Sequence, residues 1–122
     1  MRLEVPPGPA YVAFGPMNLP SKPLRVALVQ TSAGLDVAAN LSRIAKLLTT
    51  VPKADVIALP EVFALRGGHA DYRRHAEPVG GALTQWLAAL ARSRKAWILA
   101  GSIIERSPDG LFNTSLLLNP KG

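Results

Sequence analysis

The sequence predicts an α/β chain, a mixed sheet with helices on one face. Three observations carry that prediction. Short apolar runs rich in Val, Leu and Ile alternate with stretches whose apolar residues recur at helical spacing. The order strand, helix, strand is complete between Leu24 and Leu59, which fits a right-handed crossover joining two parallel strands. An Asp109-Gly110 turn separates the last two apolar runs and makes them a hairpin.

The elements follow in order. Residues 1–23 hold Pro6, Pro7, Pro9, Pro16, Pro20 and Pro23, six of the 11 prolines. Proline removes backbone donors and blocks helix interiors, so this stretch reads as an extended or loosely ordered arm. The domain proper is read as 24–122. Leu24–Gln30 (LRVALVQ) reads as a buried strand. Gly34 marks a turn, and Asp36 is placed to cap the next helix. Val37, Leu41, Ile44 and Leu48 share one helical face, with Asn40, Arg43 and Lys46 expected to point elsewhere. Pro52 follows the end of that helix. Val56–Leu59 is the second strand, closed by Pro60. Arg66–Gly81 reads as a loop with at most one helical turn. Residues 82–95 form an amphipathic helix with Leu83, Trp86, Leu87 and Leu90 on one face. Trp97–Ile104 is the third strand and Leu111–Leu118 the fourth, antiparallel to it. Near-continuous apolar strands are those buried on both faces. Two helices cover one face only, so the other is expected to need a further layer, from the same protein or from a second subunit.

Composition narrows the function. The 122 residues suit one domain, since domains run to about 100–200 residues. At 48% hydrophobic the chain is no disordered tail. No apolar run approaches the roughly 20 residues of a membrane span. The N-terminus lacks the pattern of a secretory signal: Glu4 follows Arg2, and prolines interrupt any apolar stretch. A cytoplasmic location is the expectation. The count of 14 Lys+Arg against 8 Asp+Glu gives +6. The positives are scattered, with small clusters at Arg73-Arg74 and at Arg92, Arg94 and Lys95. Only 6% of residues are aromatic, which leaves few stacking platforms. A solvated basic face is expected, not a specific nucleic-acid surface. The absence of cysteine excludes disulfides, a Cys-zinc site and thiol catalysis by these 122 residues alone.

Among candidate residues Glu61 stands out, in Ala58-Leu59-Pro60-Glu61-Val62-Phe63. It follows an apolar strand directly, and sites in open α/β sheets gather beyond the carboxyl ends of parallel strands. Its apolar neighbours suggest partial desolvation, which would suit a general base near neutral pH. A surface ion pair or a loop cap would place a glutamate there equally well. His69 and His75 are six apart with Asp71 between them, a spacing that matches no helical ligand pair; exposed histidines are expected, and no metal or cofactor is implied. Glycines 67, 68, 80 and 81 form no phosphate-binding pattern. Ser102 is read as packing. Glu105 is read as an ion-pair partner or a sheet-edge residue, and Asn113 as a polar residue satisfying buried backbone groups.

The order of these features resembles the start of the nitrilase or carbon–nitrogen hydrolase superfamily. The matching pieces are RVALVQ, Asn40-Leu41 near the start of the first helix, ADVIALPEVF, AGSIIE and DGLFNTSLLLNPKG, which together reach from Leu24 to Gly122. The resemblance implies the N-terminal half of a four-layer α-β-β-α sandwich. It also implies hydrolysis of non-peptide C–N bonds, in small-molecule amides or nitriles, by a Glu-Lys-Cys triad in a homo-oligomer. Glu61 matches the triad glutamate, the base that takes the thiol proton and later activates water. The lysine and cysteine of the pattern come after the Pro-x-Gly turn at Pro120–Gly122, so Lys121 matches neither. The expectation is an N-terminal portion that is inactive alone, or a non-catalytic interaction module that needs a partner chain.

Overall fold

A computed structural model describes residues 22–122; the reading of residues 1–21 as a proline-rich arm lies outside the described residues. Four strands form one sheet in the order β1 (Val26–Leu28), β2 (Val56–Leu59), β3 (Trp97–Ser107), β4 (Gly110–Leu118). The first three are parallel, and β4 runs antiparallel to β3. β1 is shorter than the seven-residue run Leu24–Gln30 suggests. Among the described residues it is an edge strand, paired with β2 alone, although Val29 N–H still reaches Ala58 O at 2.9 Å.

Helix α1 (Val37–Leu48) starts where expected, with Asp36 Oδ1 accepting Ala39 N–H at 2.9 Å. Ile44 and Leu48 enter the core. Asn40 does not point away: it is 3% exposed, one turn before Ile44 on the same inward row. Its amide makes the side chain polar enough to look external, yet hydrogen bonds to the Gly34 and Ala64 backbone satisfy it inside. The segment read as a loop contains a two-turn helix, α2 (His69–His75). The cue is local: Asp71 Oδ2 accepts Gly68 N–H at 2.9 Å, the reciprocal half of a capping arrangement three residues apart. Helix α3 (Ala82–Arg94) buries Leu87 and Ala91 fully and stops at Lys95, whose φ is +50°. Basic side chains occupy the last turns of both α2 and α3, where they meet the carbonyl end of the dipole. No helix among the described residues is long and apolar enough to cross a membrane.

One sheet face presents Ile57, Leu59, Ile98 and Ala100 to Ile44, Leu48, Leu87 and Ala91, and this is the core. Each large aliphatic side chain fully buried here contributes about 1.5–3 kcal/mol. The opposite face carries two registered rows. Leu28, Ala58, Leu99 and Leu117 lie side by side across all four strands, and Val26, Val56 and Trp97 across three. Leu28 is 80% exposed and Leu117 61%. The expected uncovered apolar face is therefore present, and the helices lie on the other side.

Candidate functional site

The site is built where β2 ends. Glu61 occupies the first position of a turn whose next residue, Val62, has φ +43°. A β-branched residue in the left-handed region costs on the order of 1–3 kcal/mol and persists only where neighbours impose it. Those neighbours come from β3. Ser102 N–H donates to Pro60 O at 3.3 Å, and Ser102 Oγ accepts Val62 N–H at 3.0 Å. Ser102 is 2% exposed, so the bond is made away from water. β3 presents both groups because its register shifts between Ala100 and Ile103, a local bulge that re-aims the strand. Gly101 lies in that bulge, and any Cβ there would collide with the Leu59 carbonyl oxygen. Ser102 is thus more than packing: Gly101 permits the close approach and Ser102 ties the turn.

The rest of the turn is anchored inward. Phe63 is fully buried and stacks on Trp86 with ring centroids 6.4 Å apart. Leu65 N–H donates to Val62 O at 3.1 Å. Asn40 joins the loops that follow β1 and β2: its Nδ2 donates to Gly34 O and Ala64 O, each at 2.9 Å, and its Oδ1 accepts Gly34 N–H at 3.0 Å.

Against this frame Glu61 itself is exposed, and the expected desolvation is not found. The apolar neighbours that suggested it, Leu59, Val62 and Phe63, all turn into the core and leave the carboxylate outside. Oε1 accepts a hydrogen bond from Asn113 Nδ2 at 2.8 Å. Asn113 therefore serves the glutamate and not a buried backbone group. Along β4, Asn113, Ser115 and Leu117 alternate onto one side, and Leu117 belongs to the uncovered row. Glu61 thus meets its partner on the open apolar face of the sheet.

A cavity of about 350 Å³ holds Glu61 and Asn113 together with Arg66, His69, Tyr72 and Phe112. A second, of about 210 Å³, is lined by Val37, His75, Glu77, Leu83 and Ser102; Val62 and Ile104 wall both. The two histidines are both exposed, as expected, and they line different cavities. No three His, Cys, Asp or Glu residues among the described ones could hold a metal ion. Among the described residues Glu105 makes no ion pair; it accepts the Thr114 hydroxyl at 2.6 Å across the hairpin. Glu77 Oε2 accepts Leu83 N–H at 2.9 Å and so serves the start of α3. Lys121 lies in a turn where its N–H meets Asn119 Oδ1 at 2.7 Å. At the opposite ends of the strands Arg25 grips Asp55 through both carboxylate oxygens, at 3.1 and 3.2 Å. The guanidinium holds the Asp55 carboxyl below its ordinary range, and Asp55 in turn raises Arg25.

Ser102, Asn113 and Asn40 are the residues that the sequence reading underrated. Each is a small polar side chain inside an otherwise apolar stretch, and that is the signal by which they could have been singled out.

Comparison with known proteins gives one answer. Residues 25–122 match the family described as carbon-nitrogen hydrolase. The 2-oxoglutaramate amidase of Paenarthrobacter nicotinovorans is 38% identical over 89 residues, covering 68% of this chain and 30% of that protein. The omega-amidase NIT2 of Mus musculus is 31% identical over 100 residues, covering 80% and 36%. A CN-hydrolase superfamily protein of Xanthomonas campestris, solved with an arsenic adduct in its active site, superposes with TM-score 0.72 at 31% identity, over 80% of this chain and 37% of that one. Saccharomyces cerevisiae Nit3, of the nitrilase superfamily, gives TM-score 0.70 at 30% identity, over 81% and 41%. The chain spans about a third of the length of these curated relatives. Its sheet and helices correspond to the N-terminal half of their sandwich.

Proposed function

The chain belongs to the carbon–nitrogen hydrolase family, and on that premise we propose that Glu61 is the general base of a site that hydrolyses non-peptide C–N bonds in small-molecule amides or nitriles. Amidases are among its relatives. The observation that carries the reading is the placement of one carboxylate. Glu61 stands at the carboxyl edge of the parallel strands, in a cavity, with Asn113 holding one oxygen. A base so placed can take a proton from an attacking thiol and later from water, while a nearby ammonium steadies the developing oxyanion. These 122 residues contain no cysteine. In this reading the thiol and the ammonium arrive with the layer that closes over the Leu28–Leu117 row, and that layer also roofs Glu61. A homo-oligomeric, cytoplasmic assembly belongs to the same proposal.

The test is ammonia release. The purified chain is expected to release none from simple amides or nitriles. Turnover that survives purification and vanishes in Glu61→Gln overturns the dependence on an outside nucleophile. Turnover that persists in Glu61→Gln overturns the base assignment.

A second reading, a non-catalytic interaction module, is favoured by the exposed apolar rows themselves. Gel filtration with light scattering separates the two: a discrete, ordered complex with a partner and no turnover supports the module.

A further inference from the structure

Both neighbours of Glu61 in the chain are tied to one buried residue, Pro60 through the Ser102 backbone and Val62 through its side chain. The Pro60 carbonyl receives Ser102 N–H, and Val62 N–H donates to Ser102 Oγ. The glutamate between them has its Cα path fixed from both flanks, in a turn that Val62 would not adopt unassisted. The carboxylate is fixed separately. A glutamate side chain has considerable rotamer freedom, and an exposed one spends little time in any single pose. Asn113 restricts it at Oε1 and leaves Oε2 for a proton. The partner is a neutral amide, and among the described residues Glu61 makes no ion pair. Both holding residues come from the β3–β4 hairpin, whose register shift sets where Ser102 emerges.

We propose that Ser102 and Asn113 are positioning residues for Glu61, Ser102 fixing the turn through the Val62 amide and Asn113 fixing the carboxylate. The proposal rests on Glu61 acting as the base, because a base must lie within hydrogen-bond reach of the proton it takes. It has a specific mechanical content: loosening the turn at Ser102 moves the carboxylate off Asn113, although Ser102 touches neither group.

The experiment is NMR on the isotope-labelled chain, comparing Ser102→Ala, Ser102→Thr and Asn113→Ala with the parent. Two readouts are taken: hydrogen exchange at the Val62 amide, and the cross-relaxation peak between the Asn113 side-chain amide and the Glu61 methylenes. In Ser102→Ala the Val62 amide is expected to exchange about tenfold faster. The Asn113–Glu61 peak is expected to disappear while the Ile98 and Leu116 amides stay protected. Ser102→Thr, which keeps the hydroxyl, is expected to restore both. Asn113→Ala, an exposed change that keeps the fold, is expected to leave the Val62 amide protected. Persistence of the Asn113–Glu61 peak in Ser102→Ala overturns the proposal, because a serine that only satisfies a buried amide would give that result. Loss of Val62 protection in Asn113→Ala overturns it too, since the two constraints would then not be separate. Neither readout uses turnover, so a failed clamp and a failed base assignment are told apart by the ammonia measurement.

Discussion

Asn113 Nδ2 lies 2.8 Å from Glu61 Oε1 and joins residues 52 apart in sequence, one beyond the end of β2 and the other within β4. The glutamate is presented by a parallel strand and held by an antiparallel one. Its position depends on the β3–β4 hairpin as much as on its own strand.

Gly101→Ala is expected to destabilise the chain by about 3 kcal/mol. The new methyl would strike the Leu59 carbonyl oxygen and approach Pro60 C to 3.1 Å. Both are backbone atoms that no rotamer change can move, and overpacking of this kind costs about 1–3 kcal/mol or more. Urea denaturation should show a lowered midpoint with an unchanged slope.

Asn40→Asp is expected to be worse than Asn40→Ala. Alanine removes three hydrogen bonds and strands backbone groups of Gly34 and Ala64, a loss on the order of 2–3 kcal/mol. Aspartate is nearly the same size but replaces the donor with an acceptor. It would set a carboxylate, 3% exposed in this position, against two carbonyl oxygens. Thermal melts of the two variants check the order.

Asp55→Asn is expected to flatten the acid side of the stability curve. The Asp55 carboxyl sits below its ordinary range because Arg25 bonds its charged form. A group depressed in the folded state contributes stability that is present above its unfolded pKa and lost as pH falls through its folded one. The parent should therefore lose this contribution below the usual carboxylate range, and the variant should have none there to lose. Arg25 stays charged throughout that window. The effect is small, as for other solvent-exposed pairs. Chemical denaturation from pH 7 down to pH 2 measures it, and equal slopes for parent and variant would refute the assignment.

Leu28→Lys together with Leu117→Lys is expected to reduce self-association while leaving the melting temperature close to that of the parent. Both side chains face water, at 80% and 61% exposure, so charging them removes little burial and breaks up the apolar row. Light scattering across a concentration series gives the comparison.

Much of the fold was legible because its signals are local. Asp36 announces α1, the Ile44–Leu48 spacing gives its inner face, and Asp109-Gly110 gives the hairpin. The uncovered face was legible as well, since alternate residues of four apolar strands have to go somewhere. The missed features are those in which a polar side chain is satisfied from a distance. Asn40 looked external because its backbone partners, Gly34 and Ala64, lie on two other loops. Ser102 looked inert because its partner amide is 40 residues away. Glu61 was placed correctly at the strand end, but its expected desolvation was not. Apolar neighbours in sequence turn into the core and carry the carboxylate outward.

The support of Glu61 by the hairpin also sets an order of events during synthesis. The glutamate leaves the ribosome well before Ser102 and Asn113 do, and domains assemble as their segments emerge. Until β3 has been translated and paired, the two Ser102 bonds that tie the Pro60–Val62 bend are missing. A nascent chain paused before residue 113 carries Glu61 without the amide that holds its carboxylate.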